Sequence, residues 1–174
     1  GGSSKDRIAK AIIEDALATG AIRKGSTIVE GTSGSTGISM ALVAAAHGCK
    51  CLVVLPDDVS QGKIDLLRRY GAEVQRVKAA AIADPGHYVN VAKRRARDLP
   101  GGFFANQFEN LANFKCHYEG TGPEIWSQTN GDIDAFVMGS GTGGTIGGVA
   151  QFLKERNATV KIYLADPPVR AFIV

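Results

Sequence analysis

The stretch Gly139-Ser140-Gly141-Thr142-Gly143-Gly144-Thr145-Ile146-Gly147-Gly148 follows an apolar run, Ala135-Phe136-Val137-Met138, and leads into an amphipathic segment from Thr145 to Arg156. A strand, a glycine turn and a helix start in that order form an anion cup. Glycines let the backbone come close to a ligand, and the first amides of a helix, with its dipole, favour negative charge. The expected occupant is a phosphate, and this stretch alone leaves its owner open. Gly139, Gly141 and Gly144 also fit G-x-G-x-x-G, and the run Val160 to Ala165 ends in Asp166, where a dinucleotide fold carries its ribose acid. A nicotinamide or flavin, another phosphate-bearing ligand and a plain tight turn all stand as readings.

Two further groups could do chemistry. Thr27-Ile28-Val29-Glu30 reads as a strand, Gly31-Thr32-Ser33-Gly34-Ser35-Thr36-Gly37 follows it, and an almost wholly apolar helix runs from Ile38 to His47. Four hydroxyls and several amides would converge there on something small and negative, and a carboxylate fits. Near the start of the chain, Lys5 precedes Ile8, Ile12, Ile13 and Leu17 at helical spacing, with Ser3 and Asp6 placed as an N-terminal cap. It falls in the first turn, where the dipole disfavours an ammonium, so the position suits Schiff-base chemistry. On spacing alone, an exposed lysine near a chain end is the plainer reading.

The elements that must position these groups alternate regularly. Cys51 to Leu55 reads as a buried strand, Ser60 to Tyr70 as a helix, Glu73 to Val77 as a strand and Tyr88 to Asp98 as a basic helix. Phe103 to Asn110 begins apolar and ends in amides, as a strand end facing a ligand would. Gln107 there could bind a carboxylate or cap a neighbouring loop. From Phe114 to about Thr129 the pattern is helical, interrupted near Gly122-Pro123. Such alternation predicts parallel βαβ units.

Composition narrows the partners. The 174 residues are 44% hydrophobic and 21% charged, as in an ordinary globular domain. The 20 basic residues nearly balance 17 acidic ones, and the densest basic run, Lys93-Arg94-Arg95 with Arg97, lacks interleaved aromatics, so no nucleic-acid partner is expected. No apolar run reaches the ~18 residues of a membrane span, and no membrane partner is expected. The three cysteines (Cys49, Cys51, Cys116) form no zinc-type pattern with the histidines and read as reduced thiols, the first two buried. No metal site is expected.

With Ser-Ser-Lys-Asp-Arg (3–7), Thr-Ser-Gly-Ser-Thr-Gly (32–37), Gln-Phe-Glu-Asn (107–110) and Gly-Thr-Gly-Gly-Thr (141–145) in register, the chain resembles the cysteine synthase and cystathionine β-synthase family. The resemblance covers nearly all of it, with Leu66 to Glu73 and Thr121 to Trp126 also similar. It implies a two-lobed α/β fold of type II pyridoxal-phosphate enzymes, with parallel sheets and flanking helices. Residues 1–110 would form the smaller lobe, and 111–174 the start of an incomplete larger, cofactor-binding lobe. It implies that Lys5 is the catalytic residue and holds pyridoxal 5′-phosphate as a Schiff base. Gly141, Thr142, Gly143, Gly144 and Thr145 would hold its phosphate, Ser35 would face its ring, and Thr32, Ser33, Gly34 and Thr36 with Gln107 would bind the substrate carboxylate.

The activity implied is replacement at the β-carbon of an activated, O-acetylserine-like serine by sulfide, giving L-cysteine. The alternatives are L-cysteine desulfhydration to sulfide, pyruvate and ammonia, a nicotinamide-dependent oxidoreductase built on residues 139–166, and a non-catalytic binding remnant. A small amino acid and sulfide are the implied partners, with a homodimer and a cytoplasmic or mitochondrial setting. Two departures from the family stand out. Ser35 replaces the usual Asn, which marks an altered reaction preference. The family also has strands before the lysine motif and a long C-terminal part supplying a hydroxyl to the pyridine nitrogen, so this chain reads as a fragment.

Overall fold

A computed structural model describes residues 2–166. The chain divides into two compact units that part between Asn106 and Gln107. The segment after Asp166 lies outside the described residues.

The first unit runs α1 (Lys5–Ala18), β1 (Thr27–Gly31), α2 (Ser35–Ala46), β2 (Lys50–Pro56), α3 (Gln61–Arg69), β3 (Glu73–Val77), α4 (Tyr88–Asp98) and β4 (Gly102–Phe104). Its four strands form one parallel sheet in the order β3-β2-β1-β4. A sheet covered on both faces needs strands apolar on both sides, and β2 is buried from Cys51 to Pro56. Val29, Leu52 and Val54 pack with Tyr88, Ala92 and Ala96 of α4 on one face. Val53 points to the other, where a Cβ on Gly37 of α2 would lie 3.0 Å from its Cγ1. At Gly31 the end of β1 runs so close to α4 that a Cβ would sit 2.7 Å from the Cα of Val89.

The strand order reverses direction at β1, whose neighbours are β2 on one side and β4 on the other. In open parallel sheets the crevice beyond the carboxyl ends of such strands is where ligands bind. β1 ends there at Gly31 and opens into Thr32 to Gly34. β4 ends there too, continued by Ala105, whose N–H donates to the Val29 carbonyl (3.0 Å), and by Asn106 in the left-handed region (φ 53°).

The second unit runs α5 (Leu111–Cys116), a π-helical turn (His117–Thr121), α6 (Gly122–Gln128), β5 (Ala135–Met138), α7 (Gly144–Arg156) and β6 (Lys161–Leu164). β5 and β6 pair in parallel, and Val149, Phe152, Leu153 and Val160 form the core with Tyr118, Ile125 and Phe136 around them. The expected interruption at Gly122-Pro123 falls earlier, as the π turn. Pro123 then sits in the first turn of α6, where its missing N–H costs nothing. Gly148 lets α7 approach the π turn closely, since a Cβ there would lie 2.8 Å from the Tyr118 backbone N.

Candidate active site

In the first unit the start of α1 is capped reciprocally by the two residues expected to do so. Ser3 Oγ accepts from the Lys5 N–H (3.3 Å), while the Asp6 carboxylate accepts from the N–H groups of Gly2 (2.9 Å) and Ser3 (3.4 Å). Asp6 does more than cap. Its Oδ1 accepts a 2.6 Å hydrogen bond from Ser39 Oγ in α2. That bond, then the two amides, hold the Asp6 carboxyl below its ordinary 3.8 against a smaller opposing effect of burial. The lysine-bearing turn is thereby tied to the helix that starts at the hydroxyl loop. Lys5 is half-buried, and its Nζ makes no hydrogen bond or ion pair among the described residues. Sequence reasoning found Asp6 as a cap and missed Ser39, which only its place one turn into α2 reveals.

The hydroxyl loop itself is shorter than expected. α2 begins at Ser35, three residues before Ile38, so Thr32, Ser33 and Gly34 form the loop while Ser35 and Thr36 occupy the first helical turn. No side-chain cap closes this N-terminus, whose cap residue Gly34 is extended (φ −133°, ψ −152°). Thr32 Oγ1 accepts from the Gly34 N–H (3.2 Å) and fixes the bend. Thr32 and Thr36 are buried, Ser33 and Ser35 half-buried, and a Cβ built on Gly34 meets nothing within 4 Å, so the cup is open above. Behind it Tyr88 is buried, and burial pushes its phenol above the usual range.

In the second unit α7 begins at Gly144 with Gly143 left-handed (φ 82°) at the cap position and no side-chain cap. Gly141 has open space where a Cβ would stand. The turn is braced by Asp166, whose Oδ1 accepts from the Ser140 N–H (3.4 Å). The hydroxyls of Thr142 and Thr145 are held from beneath. Asn113 Nδ2 donates to Thr142 Oγ1 (2.8 Å) and to the Gln107 carbonyl (2.9 Å), and His117 Nε2 lies 3.0 Å from Thr145 Oγ1. Gln107, read from the sequence beside the hydroxyl loop, thus falls in the second unit, buried, with its backbone joined to the glycine turn through Asn113. The donor set fits a phosphate: an uncapped helix start, a left-handed glycine, three hydroxyls and no acidic side chain among 139–145.

A family model described as "Pyridoxal-phosphate dependent enzyme" matches residues 1–172. The chain belongs to the pyridoxal-phosphate dependent enzymes. Cysteine synthase 1 of Neurospora crassa is 50% identical over 97% of this chain, which spans 45% of that relative. Among solved structures, O-ureido-L-serine synthase superposes with a TM-score of 0.91 at 38% identity, covering 99% of this chain and 54% of that one. A hydrogen sulfide-producing enzyme superposes at 0.86 with 35% identity, covering 96% and 51%. The chain therefore spans about half the length of its relatives, and its fold is that of the type II enzymes of this family. Membership removes the nicotinamide reading of residues 139–166, and the carboxylate that reading assigned to a ribose, Asp166, instead holds the backbone of the turn. Among the described residues no helix is long and apolar enough to cross a membrane, and no cluster of residues could hold a metal ion.

Proposed function

We propose that this pyridoxal-phosphate dependent chain carries the Schiff-base lysine, the substrate-carboxylate loop and the cofactor-phosphate turn of a cysteine synthase. The observation that carries the proposal is the Asp6–Ser39 bond. It ties the first turn of α1, with Lys5, to the first turns of α2, the helix that opens at the hydroxyl cup. An amine and an anion cup are thereby held in one fixed arrangement.

Pyridoxal phosphate, when bound, supplies a sink for the electrons left at the substrate's α-carbon. Lys5 Nζ is the atom that would bond the cofactor aldehyde and, once released, take the α-proton. Thr32, Ser33, Gly34 and Thr36, with Gln107, would hold the substrate carboxylate, and the helix dipole of α2 favours its charge. Ser35 would face the cofactor ring. Gly141 to Thr145 would hold the phosphate and keep the ring from drifting as Lys5 lets go. The β-leaving group would then depart, sulfide would add at the β-carbon, and Lys5 would return the proton to the α-carbon. As in the family, the working unit would be a homodimer, which light scattering of the full-length protein would reveal.

A second reading, desulfhydration of cysteine, is favoured by one residue. Ser35 is shorter than the amide the family carries there, so contact with the ring would need a closer backbone or a bridging water. One structural neighbour is itself a sulfide-producing enzyme. Two assays on the full-length protein decide. Loaded with pyridoxal phosphate, it should show a visible Schiff-base band that Lys5→Ala abolishes, and a band that survives the substitution would sink both readings. Cysteine formed from O-acetylserine and sulfide supports synthesis. Sulfide released from cysteine, with no synthesis, supports the second reading.

A further inference from the structure

The two threonine hydroxyls of the glycine turn are oriented by side chains that none of the site motifs contains. Asn113 is 3% exposed, and its Nδ2 donates both to the Gln107 carbonyl (2.9 Å) and to Thr142 Oγ1 (2.8 Å). A carbonyl only accepts, so the amide orientation is fixed and Thr142 must accept from it. The Thr142 hydroxyl hydrogen is then left to point elsewhere. His117 is 1% exposed within the π turn, a deformation often found at functional sites, with Nδ1 2.8 Å from Thr121 Oγ1 and Nε2 3.0 Å from Thr145 Oγ1.

The histidine has a choice that the asparagine lacks. A neutral imidazole carries one N–H and one lone pair. With the hydrogen on Nδ1, Nε2 must accept, Thr145 spends its only hydrogen inward, and the hydroxyl turns lone pairs toward the cup. With the hydrogen on Nε2, Thr145 accepts from the ring, and its own hydrogen is available to an anion. Thr121 then donates to Nδ1. Only the second arrangement makes Thr145 match Thr142.

We propose that His117 is a positioning residue that, as the Nε2–H tautomer, turns the Thr145 hydroxyl into a donor to the anion held by Gly141 to Thr145. The proposal rests on reading that turn as the phosphate site. It assigns the π turn a purpose: His117 acts from below, through Thr145, and never touches the ligand.

The test uses the full-length protein. With ring-¹⁵N histidine and bound pyridoxal phosphate, long-range ¹H–¹⁵N correlation should give the Nε2–H pattern for His117, the signal being assigned by its loss in His117→Gln. An Nδ1–H pattern overturns the proposal, and this measurement needs no variant beyond the one used for assignment. Affinity for pyridoxal phosphate relative to pyridoxal, which lacks the phosphate, gives a second readout. His117→Leu should cut that preference about tenfold to a hundredfold, the worth of one hydrogen bond to a charged group. His117→Gln, which can still donate, should keep it. Adding Thr145→Val to His117→Leu should cost little more, because His117 acts on the anion only through the Thr145 hydroxyl. A preference unchanged in His117→Leu overturns the role of His117 alone. No preference in the wild-type protein overturns the phosphate site as well.

Discussion

The two anion cups have the same plan, a parallel strand feeding a helix through a short loop, and are built from opposite materials. The first relies on side chains: hydroxyls line it, and its one loop glycine, Gly34, is extended and surrounded by space. The second relies on backbone. Gly143 is left-handed, and a Cβ on Gly144 would run into the Asn113 amide. A loop of side chains can be retuned residue by residue, as Ser35 suggests, whereas a loop of glycines takes its shape from what packs beneath it. Such a division suits a variable substrate and an invariant phosphate.

The largest effect expected concerns what the first cup serves. On the proposed function, Lys5→Ala should lower β-replacement turnover by about 10³-fold or more, the scale of losing a group that would serve as both base and nucleophile. Because the Lys5 side chain has no polar partner among the described residues, chemical denaturation of the same variant should stay within about 0.5 kcal/mol of wild type. A large loss of stability would mean that the lysine is structural.

Next comes the contrast in materials. Gly144→Ala should destabilise by about 3 kcal/mol through overpacking against Asn113. Gly34→Ala, with open space and an ordinary φ, should stay within about 0.5 kcal/mol and act on substrate affinity instead. Equal effects in denaturant titrations would erase the distinction between the cups.

Smaller still is the tie between α1 and α2. Asp6→Asn should cost about 1 kcal/mol at neutral pH, the scale of a helix cap with one charged hydrogen bond. The Asp6 carboxyl is held below 3.8 in the folded protein, so its contribution is present above that value and fades as pH falls through the lowered one. The gap between wild type and variant should therefore close below about pH 4. A gap that persisted in acid would mean that the charge is not what holds the helices together.

The smallest expected contrast is chemical. In the first unit burial pushes the Cys51 thiol up to about 12 and raises Cys49 as well, while Cys116 of the second unit is half-buried. Peptide mapping after brief alkylation of the native protein should find label on Cys116 well ahead of the other two.

Much of this was legible in the residues. β2 announces itself as an apolar run, and the site motifs follow two of the strands, because each cup requires a strand, a loop and a helix start in sequence. The start of α2 was misread because Ser, Thr and Gly count as turn formers, yet at the first helical positions their side chains compete little with a backbone that has no partner there. His117 was invisible for a different reason. Three scattered histidines suggest nothing by spacing, and the role of this one is created by the π turn and by α7 packing across it, which are tertiary facts.

Gly31 lies in the wall that supports the first cup. With β1 and α4 almost backbone to backbone there, any larger residue would push the strand end away from the helix and carry Thr32 with it. Across related sequences this glycine should thus look as immovable as those that meet a ligand. A ranking of positions by invariance would confuse masonry with chemistry unless each glycine is asked what a methyl group would strike.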